Sequence, residues 1–453
     1  MEYEIGDRGK EYYDSPWQPI KEWLIYAYAA TSPFFVFSVF FTRDTLTLWV
    51  LGVMIIVFLA DLISSGGKFW MDSSFIPIAL FVLAFIARTL EIYFEDPSNS
   101  WMGKTPIERA LGIDLRLLVS VAALFICVNF LANAPRRVFL TILKIQLVVG
   151  MCLIAIALIQ YGGYVLFNRD DFLKFKPTNE SYYSRGNLFR LGQQRVFRSP
   201  SIFNEPSFLG FFLVPLLMKA ILAWGQKINV FSRFWMGCIL AFIVLGIFSN
   251  LSFTAVFSIV ILFMIFVIIS WFGPYRKVVF LILFLFIVFS LIMAFLPFSN
   301  VIFERISRVV ELKDGSTLDR LFRVYTSFIV FLDHPLFGVG PGGYAFYYPR
   351  MGGMDPTLMA APLNVWLHFL TDVGIVGFIP FIVFLGMILR SAFKASKQEP
   401  LIGVYLWSII AYLILLTTLD FWFLEMLWFE IAVLLCITRN SWKNDMKTGV
   451  IHE

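Results

Sequence analysis

Charge is scarce in this sequence. Asp, Glu, Lys and Arg make up 15% of its 453 residues, where an ordinary soluble domain carries about 25%. With 59% hydrophobic residues and a mean hydropathy of +0.79, the shortage excludes a set of soluble domains, because no soluble fold hides this much apolar surface. It excludes a disordered chain for the same reason. Cysteine and histidine are scarce as well. Cys127, Cys152, Cys238 and Cys436 all lie in apolar runs and read as small core residues, not as a disulfide framework or a metal site. With three histidines, a histidine-based metal centre is not expected. No Asp-x-Asp occurs, so the metal-dependent sites that use one are not indicated. No ATP-binding motif is present, so any chemistry uses a preactivated substrate and no nucleotide.

Long hydrophobic runs are what the chain does have. Twelve are legible, near 22–42, 45–63, 73–93, 114–133, 138–161, 206–224, 234–249, 251–272, 278–297, 365–390, 401–419 and 421–438. A membrane span needs about 20 apolar residues. The expectation is an all-α polytopic membrane protein with about twelve transmembrane helices, a single integral membrane domain over residues 1–453. The first twenty residues are polar and aromatic, so the first span is expected to serve as its own insertion signal. The twelfth run is interrupted by Glu425 and Glu430 and is the least regular.

Two connections are long, 162–205 and 298–364; the others are short. With the N-terminus inside, the inner connections and tails hold sixteen Lys and Arg, and the short outer ones only Arg43, Lys104 and Arg109. Such a bias places both termini in the cytoplasm and both long connections outside, in the periplasm or cell exterior. The net charge of +5 then reflects cytoplasmic Lys and Arg and implies no nucleic acid. The long outer connections are basic all the same: residues 162–200 carry a net +4. Either they are solvated basic surface, or they bind an anionic ligand at the membrane surface. The second is not structureless. Residues 303–310 have helical spacing, and 321–332 are amphipathic, as in helices lying on a membrane surface. Arg320 and Arg323, three apart, share a face of that helix.

Three stretches carry candidate chemistry. The first, Arg198 to Gly210, enters the sixth span. There Pro206 suits a first helical turn and Glu205 a helix N-terminus. Glu205 is therefore either a cap or a membrane-surface carboxylate acting as general base or sugar ligand; Asn204 lies beside it. The second runs from Asp319-Arg320-Leu321-Phe322-Arg323 to Asp333-His334-Pro335-Leu336-Phe337-Gly338-Val339-Gly340-Pro341-Gly342-Gly343-Tyr344. Its glycines allow tight turns and close ligand approach, without the context of a nucleotide loop. In the third, Asn364, His368 and Asp372 are spaced by four and share one helical face. A polar stripe entering a span faces protein or water, so it serves either function or helix packing. Arg88 and Glu91, three apart, are expected to pair, and Lys144 to snorkel. Asp420, Glu425 and Glu430 read as structural or as part of a polar cavity.

The order of these stretches resembles the O-antigen ligase/polymerase superfamily of bacterial inner-membrane glycosyltransferases, over roughly residues 195–390. The resemblance rests on Phe-Asn-Glu-Pro-Ser before a span, an arginine ahead of Asp-His-Pro-Leu-Phe-Gly-Val-Gly-Pro-Gly, and Asn-x-x-Leu-x-x-Leu-x-Asp-x-Gly-Ile-x-Gly. It implies a GT-C-like helical fold and a polyprenyl-diphosphate-linked oligosaccharide donor. It also implies a metal-independent reaction without a cofactor, with a flippase and a chain-length regulator as partners by analogy. Arg320 matches the family arginine thought to hold the diphosphate, with Arg323 or Arg198 assisting. Glu205 is the preferred base, with His334 or His368 in reserve. Asn204, Asn364, Asp372 and Tyr344 are glycan-binding candidates. Two departures stand out. The ligases' His-Asn pair reads Leu363-Asn364 here, and their Leu-Thr-x-Ser-Arg run reads Leu251-Ser252-Phe253-Thr254-Ala255. With Glu205-Pro206 in place of an Asn-Pro-Asn, they favour a polymerase of O-antigen, capsule or exopolysaccharide over a ligase. A membrane transporter is the rival of another class; it would need two related halves, and no internal repeat is visible.

Overall fold

The structure, a computed structural model, describes residues 16–34, 45–94, 103–169, 172–173, 188–191, 194–203, 205–250, 252–271, 275–280, 283, 287, 307, 311, 315–352 and 361–440. Thirteen α-helices are numbered here in chain order. They are α1 (Gln18–Thr31), α2 (Leu46–Ser64), α3 (Phe75–Phe94), α4 (Pro106–Leu131), α5 (Arg136–Phe167), α6 (Pro206–Gly225), α7 (Arg233–Asn250), α8 (Phe253–Ser270), α9 (Gly315–Asp333), α10 (Tyr344–Tyr347), α11 (Val365–Ser396), α12 (Pro400–Leu415) and α13 (Glu425–Arg439). Ten of the twelve apolar runs match a helix; the first, 22–42, does so as far as Thr31, with 35–42 outside the described residues, as is most of the ninth, 278–297. The physical reason is general: in lipid a backbone satisfies its polar groups within its own helix.

Among the described residues, eight helices are long and apolar enough to cross a membrane, α2 to α8 and α11. α12 is a shorter apolar helix, and most of the ninth run lies outside the described residues. At the C-terminal end, α12 stops at Leu415 and α13 begins only at Glu425. The aromatic residues 421–423, counted into a span by hydropathy, form a turn instead. The first long connection also holds an unanticipated feature, an antiparallel hairpin of β1 (Leu188–Leu191) and β2 (Gln194–Phe197) with Leu188 opposite Phe197. The second contains α9, where the amphipathic pattern predicted a helix. Residues 303–306 and 308–310 lie outside the described residues.

Local chemistry sets the helix starts. Thr105 and Glu108 form a reciprocal capping box on α4. Ser252 caps α8 and Glu399 caps α12. The core centres on α6, which is buried nearly all round between α5, α7, α8 and α12, as expected of a helix apolar on every side. By contrast α2 shows Trp49, Val53, Ile56, Leu59 and Ile63 outward. One end of the molecule is tied by Glu22–Arg137, Arg136–Glu399, Lys21–Asp61 and Asp72–Arg439. The expected Arg88–Glu91 pair forms as well. At another place Asn250 bonds Ser199 and Pro206, and Arg320 bonds Thr254 and Thr418.

Midway along α6, Lys219 is sealed in the core. Its ammonium donates to Glu430 of α13 and, at 2.8 Å, to Gln146 Oε1 of α5; the Gln146 amide returns a 2.6 Å bond to Glu430. Breaking a buried pair on one side leaves an uncompensated charge, at about 3–5 kcal/mol. Lys219→Met is expected to lower the thermal unfolding midpoint in detergent by that equivalent. Lys219→Met with Glu430→Leu is expected to regain most of it. A single variant as stable as the wild type would remove the pair from the stability of the fold.

Candidate active site

The site is organised by a loop at the junction of the last two apolar runs, residues 416–424 between α12 and α13. Four elements converge on it. Asn364 caps α11, accepting the Leu367 N–H at 3.0 Å, and its Nδ2 donates to the Thr417 carbonyl at 2.9 Å. The Val365 N–H donates to the Leu416 carbonyl. From α9, Arg320 Nη1 donates to the Thr418 carbonyl at 2.9 Å and to Thr254 Oγ1, on the first turn of α8, at 3.2 Å. His368 faces Asp420 across 2.8 Å. Phe208, one turn into α6, stacks on Phe421 with ring centroids 3.9 Å apart. The N-termini of α6, α8, α11 and α13 therefore all lie at this end, and their dipoles favour an anion there.

Glu205 is the residue before α6. It is exposed, its side chain does not cap the helix, and its Oε2 accepts from Ser207 Oγ at 3.0 Å. It belongs to the same rim: Asn250, just before α8, donates to the carbonyls of Pro206 (2.8 Å) and Ser199 (3.1 Å). Arg198 is half-buried in the segment that these bonds hold, where Ser199 and Ser201 donate to α5 carbonyls. Asn204 lies outside the described residues. Two non-glycine residues at this rim, Ser201 (φ 58°) and Leu363 (φ 54°), hold left-handed backbone, a strain that side-chained residues adopt only when their surroundings force it.

Arg323, Tyr344 and Asp372 are sealed from the surface. Arg323 Nε donates to Asp319 at 2.9 Å, Nη1 donates to the Ala361 carbonyl at 3.2 Å, and the guanidinium lies 4.9 Å from the Tyr348 ring centroid. The Tyr344 hydroxyl is 2.7 Å from Thr326 Oγ1. Burial raises the Tyr344 phenol above its usual range and pushes that of Tyr348 up to about 12. Tyr348 donates to Asp319 at 3.0 Å. Arg323 and Tyr344 thus hold α9 against Tyr348 and Ala361.

The glycine-rich turn has a different use from the one its sequence suggests. α11 breaks at Gly374 (φ 61°, ψ −168°), and residues 335–340 dock into the break. Val339 and Gly340 donate to the carbonyls of Thr371 (2.7 Å) and Asp372 (2.9 Å). Ile375 and Val376 donate to those of Pro335 (2.9 Å) and Leu336 (3.1 Å). The close approach that the glycines permit is to protein backbone: a Cβ on Gly338 would stand 2.5 Å from the Thr371 carbonyl oxygen. His334 sits outside this plug, exposed, 3.2 Å from the Tyr347 hydroxyl. It helps line a groove of about 290 Å³ with Arg88, Glu91 and Phe337. The Lys144 ammonium lies 5.3 Å from the Phe231 ring centroid.

Polar groups of a multi-pass helical protein are thus collected at one end, round a loop ringed by helix N-termini. Residues 236–382, about a third of the chain, match the family model described as O-Antigen ligase, and that segment is of the O-antigen ligase/polymerase superfamily. The match takes in Thr254, Arg320, Asn364 and His368, and ends before Asp420. Among curated proteins, none matches the chain.

Sequence reading did not single out Thr254, Thr417, Thr418 or Phe421, and left Asp420 among the weaker charges. One signal was available: the polar Thr417-Thr418-Leu419-Asp420 lies where two apolar runs meet.

Proposed function

We propose that this protein is a glycosyltransferase of a bacterial inner membrane that polymerises polyprenyl-diphosphate-linked oligosaccharide repeat units on the periplasmic face, into O-antigen, capsule or exopolysaccharide. The observation that carries the reading is the convergence of Arg320, Asn364, His368 and Asp420 on one loop, within and beside a segment of the O-antigen ligase family. The donor lies with its diphosphate at the outer leaflet, near Arg320 and the helix N-termini. A guanidinium suits a diphosphate because its donors are planar and paired, and here it stabilises charge on the leaving group. The acceptor hydroxyl attacks the glycosyl C1. The new O–C1 bond forms, the C1–O bond to the diphosphate breaks with its electron pair, and the hydroxyl proton passes to the Glu205 carboxylate. Delivery of donor calls for a flippase, and control of length for a chain-length regulator.

His368 is a poorer base than Glu205 for a geometric reason. Its Nδ1 faces Asp420 at 2.8 Å and its Nε2 faces Asp372 at 3.1 Å. A ring nitrogen bonds a carboxylate only as an N–H donor, so both bonds to ionised partners leave no lone pair to accept a proton.

Arg320→Ala is expected to raise the apparent KM for lipid-linked donor at least tenfold, with Arg320→Lys failing to restore it. An unchanged KM would take Arg320 out of donor binding.

The family description also favours a second reading, an O-antigen or protein-glycan ligase using the same donor. Purified protein given the lipid-linked repeat units of its host separates the readings on a gel. A ladder of repeat lengths is the polymerase result. A single transfer onto lipid A core or a protein is the ligase result. No transfer from competent donor overturns both.

A further inference from the structure

The plug in the broken helix reaches the rim through a single side chain. Asp372 is the last but one residue before the break and is completely buried. Its Oδ2 accepts the Gly342 N–H at 3.1 Å and faces His368 Nε2 at 3.1 Å, while its own carbonyl accepts the Gly340 N–H at 2.9 Å. His368 passes the contact on to Asp420 at 2.8 Å, and Asp420 stands two residues from the Thr418 carbonyl that holds Arg320. A continuous chain of bonds thus runs from the turn at 340–342, through Asp372 and His368, to the loop that anchors Arg320. Arg109 of α4 packs against Gly342 and supplies a positive charge beside Asp372.

We infer that Asp372 is a positioning residue: it uses the 340–342 turn as a fixed support, holds the His368 ring with it, and so sets the place of Asp420 and the 417–422 loop under the reacting groups. It touches no glycan, since no part of it reaches the surface. An imidazole facing carboxylates on both nitrogens has its ring plane fixed at two points, which is how a buried side chain orients a partner within the tolerance that catalysis demands. The remaining carboxylate oxygen, Oδ1, has no hydrogen-bond partner among the described residues. The carboxylate is therefore held through Oδ2 alone; an amide oxygen in its place can accept the same two bonds but lacks the charge that strengthens them and holds the ring.

The inference rests on the glycosyltransferase reading, and two readouts separate their failures. The first needs no substrate. The chain has three histidines, so histidine-selective isotope labelling of the full protein in detergent yields three ring signals. His368→Gln identifies the signal of His368. Asp372→Asn is expected to shift that signal and to leave those of His334 and His452 in place. The second is turnover per folded molecule with lipid-linked donor. Asp372→Asn is expected to lower kcat at least thirtyfold with donor KM within threefold, and Asp372→Glu to recover part of the loss. Gly342→Ala, which disturbs the supporting N–H, is expected to be markedly non-additive with Asp372→Asn. Unmoved His368 resonances, or a wild-type kcat in folded Asp372→Asn, overturn the positioning role. Wild-type protein inactive towards competent donor overturns the glycosyltransferase reading, with the resonance result standing by itself.

Discussion

Gly374→Ala is expected to lose most of the folded protein, while Gly386→Ala, twelve residues along the same helix, is expected to lose none. The backbone at Gly374, φ 61° and ψ −168°, lies in a region essentially closed to residues with a side chain. An alanine Cβ there would stand 2.3 Å from the carbonyl carbon and oxygen of Leu336 and 2.5 Å from the Phe337 nitrogen. Those are backbone atoms, which have no rotamer by which to move aside. Relief requires the turn to withdraw, and with it go the bonds of Val339, Gly340, Ile375 and Val376. A buried group left without its partner costs about 1–3 kcal/mol, so the four together represent roughly 5 kcal/mol or more, a large share of a typical stability. A Cβ at Gly386 meets nothing within 4 Å. The comparison is made on monodisperse yield in detergent and on the unfolding midpoint. Equal stability of the two variants would mean that the turn does not occupy the break.

Glu205→Gln is expected to behave in the opposite way, with the fold intact and turnover reduced at least a hundredfold, within the range of general-base loss. The fold has little stake in this side chain. It is exposed, it does not cap α6, and its hydrogen bond from Ser207 needs only an oxygen, which glutamine retains. The chemistry does have a stake, because an amide takes no proton from an acceptor hydroxyl. The check is turnover per folded molecule with lipid-linked donor, at matched unfolding midpoints. Near-normal turnover would exclude Glu205 as the base and return the search to the rim, where Asp420 is the next carboxylate.

The two substitutions divide the motif-bearing segments by what they do. Residues 334–343 and 371–376 repair one another's backbone, and their conspicuous glycines are there for packing. On the proposed function, the groups offered to a substrate come from shorter and plainer stretches: the residue before α6, one arginine of α9, the cap of α11 and the loop after α12.

How much of this was legible depended on the range of the interaction. A long apolar run must become a helix, because lipid offers its backbone no other partner; hence ten runs reappear as helices. The helical part of the second connection is equally local, set by three or four neighbouring residues. The pairing of His368 with Asp372 follows from a spacing of four on one face. The hairpin of 188–191 and 194–197 has no such local signature, since its strands carry no strong alternating pattern. The rest belongs to tertiary structure. Asp420 meets a histidine 52 residues earlier, and Lys219 meets a carboxylate 211 residues later; no local pattern carries such a partner. Whether Asp372 and Tyr344 faced a glycan or the core was likewise decided by what packed over them. Gly374 shows the boundary most plainly. Its presence in an apolar helix was plain to read, but that it breaks α11, and that the Gly338 turn fills the break, was settled by backbone groups that had to find partners away from water.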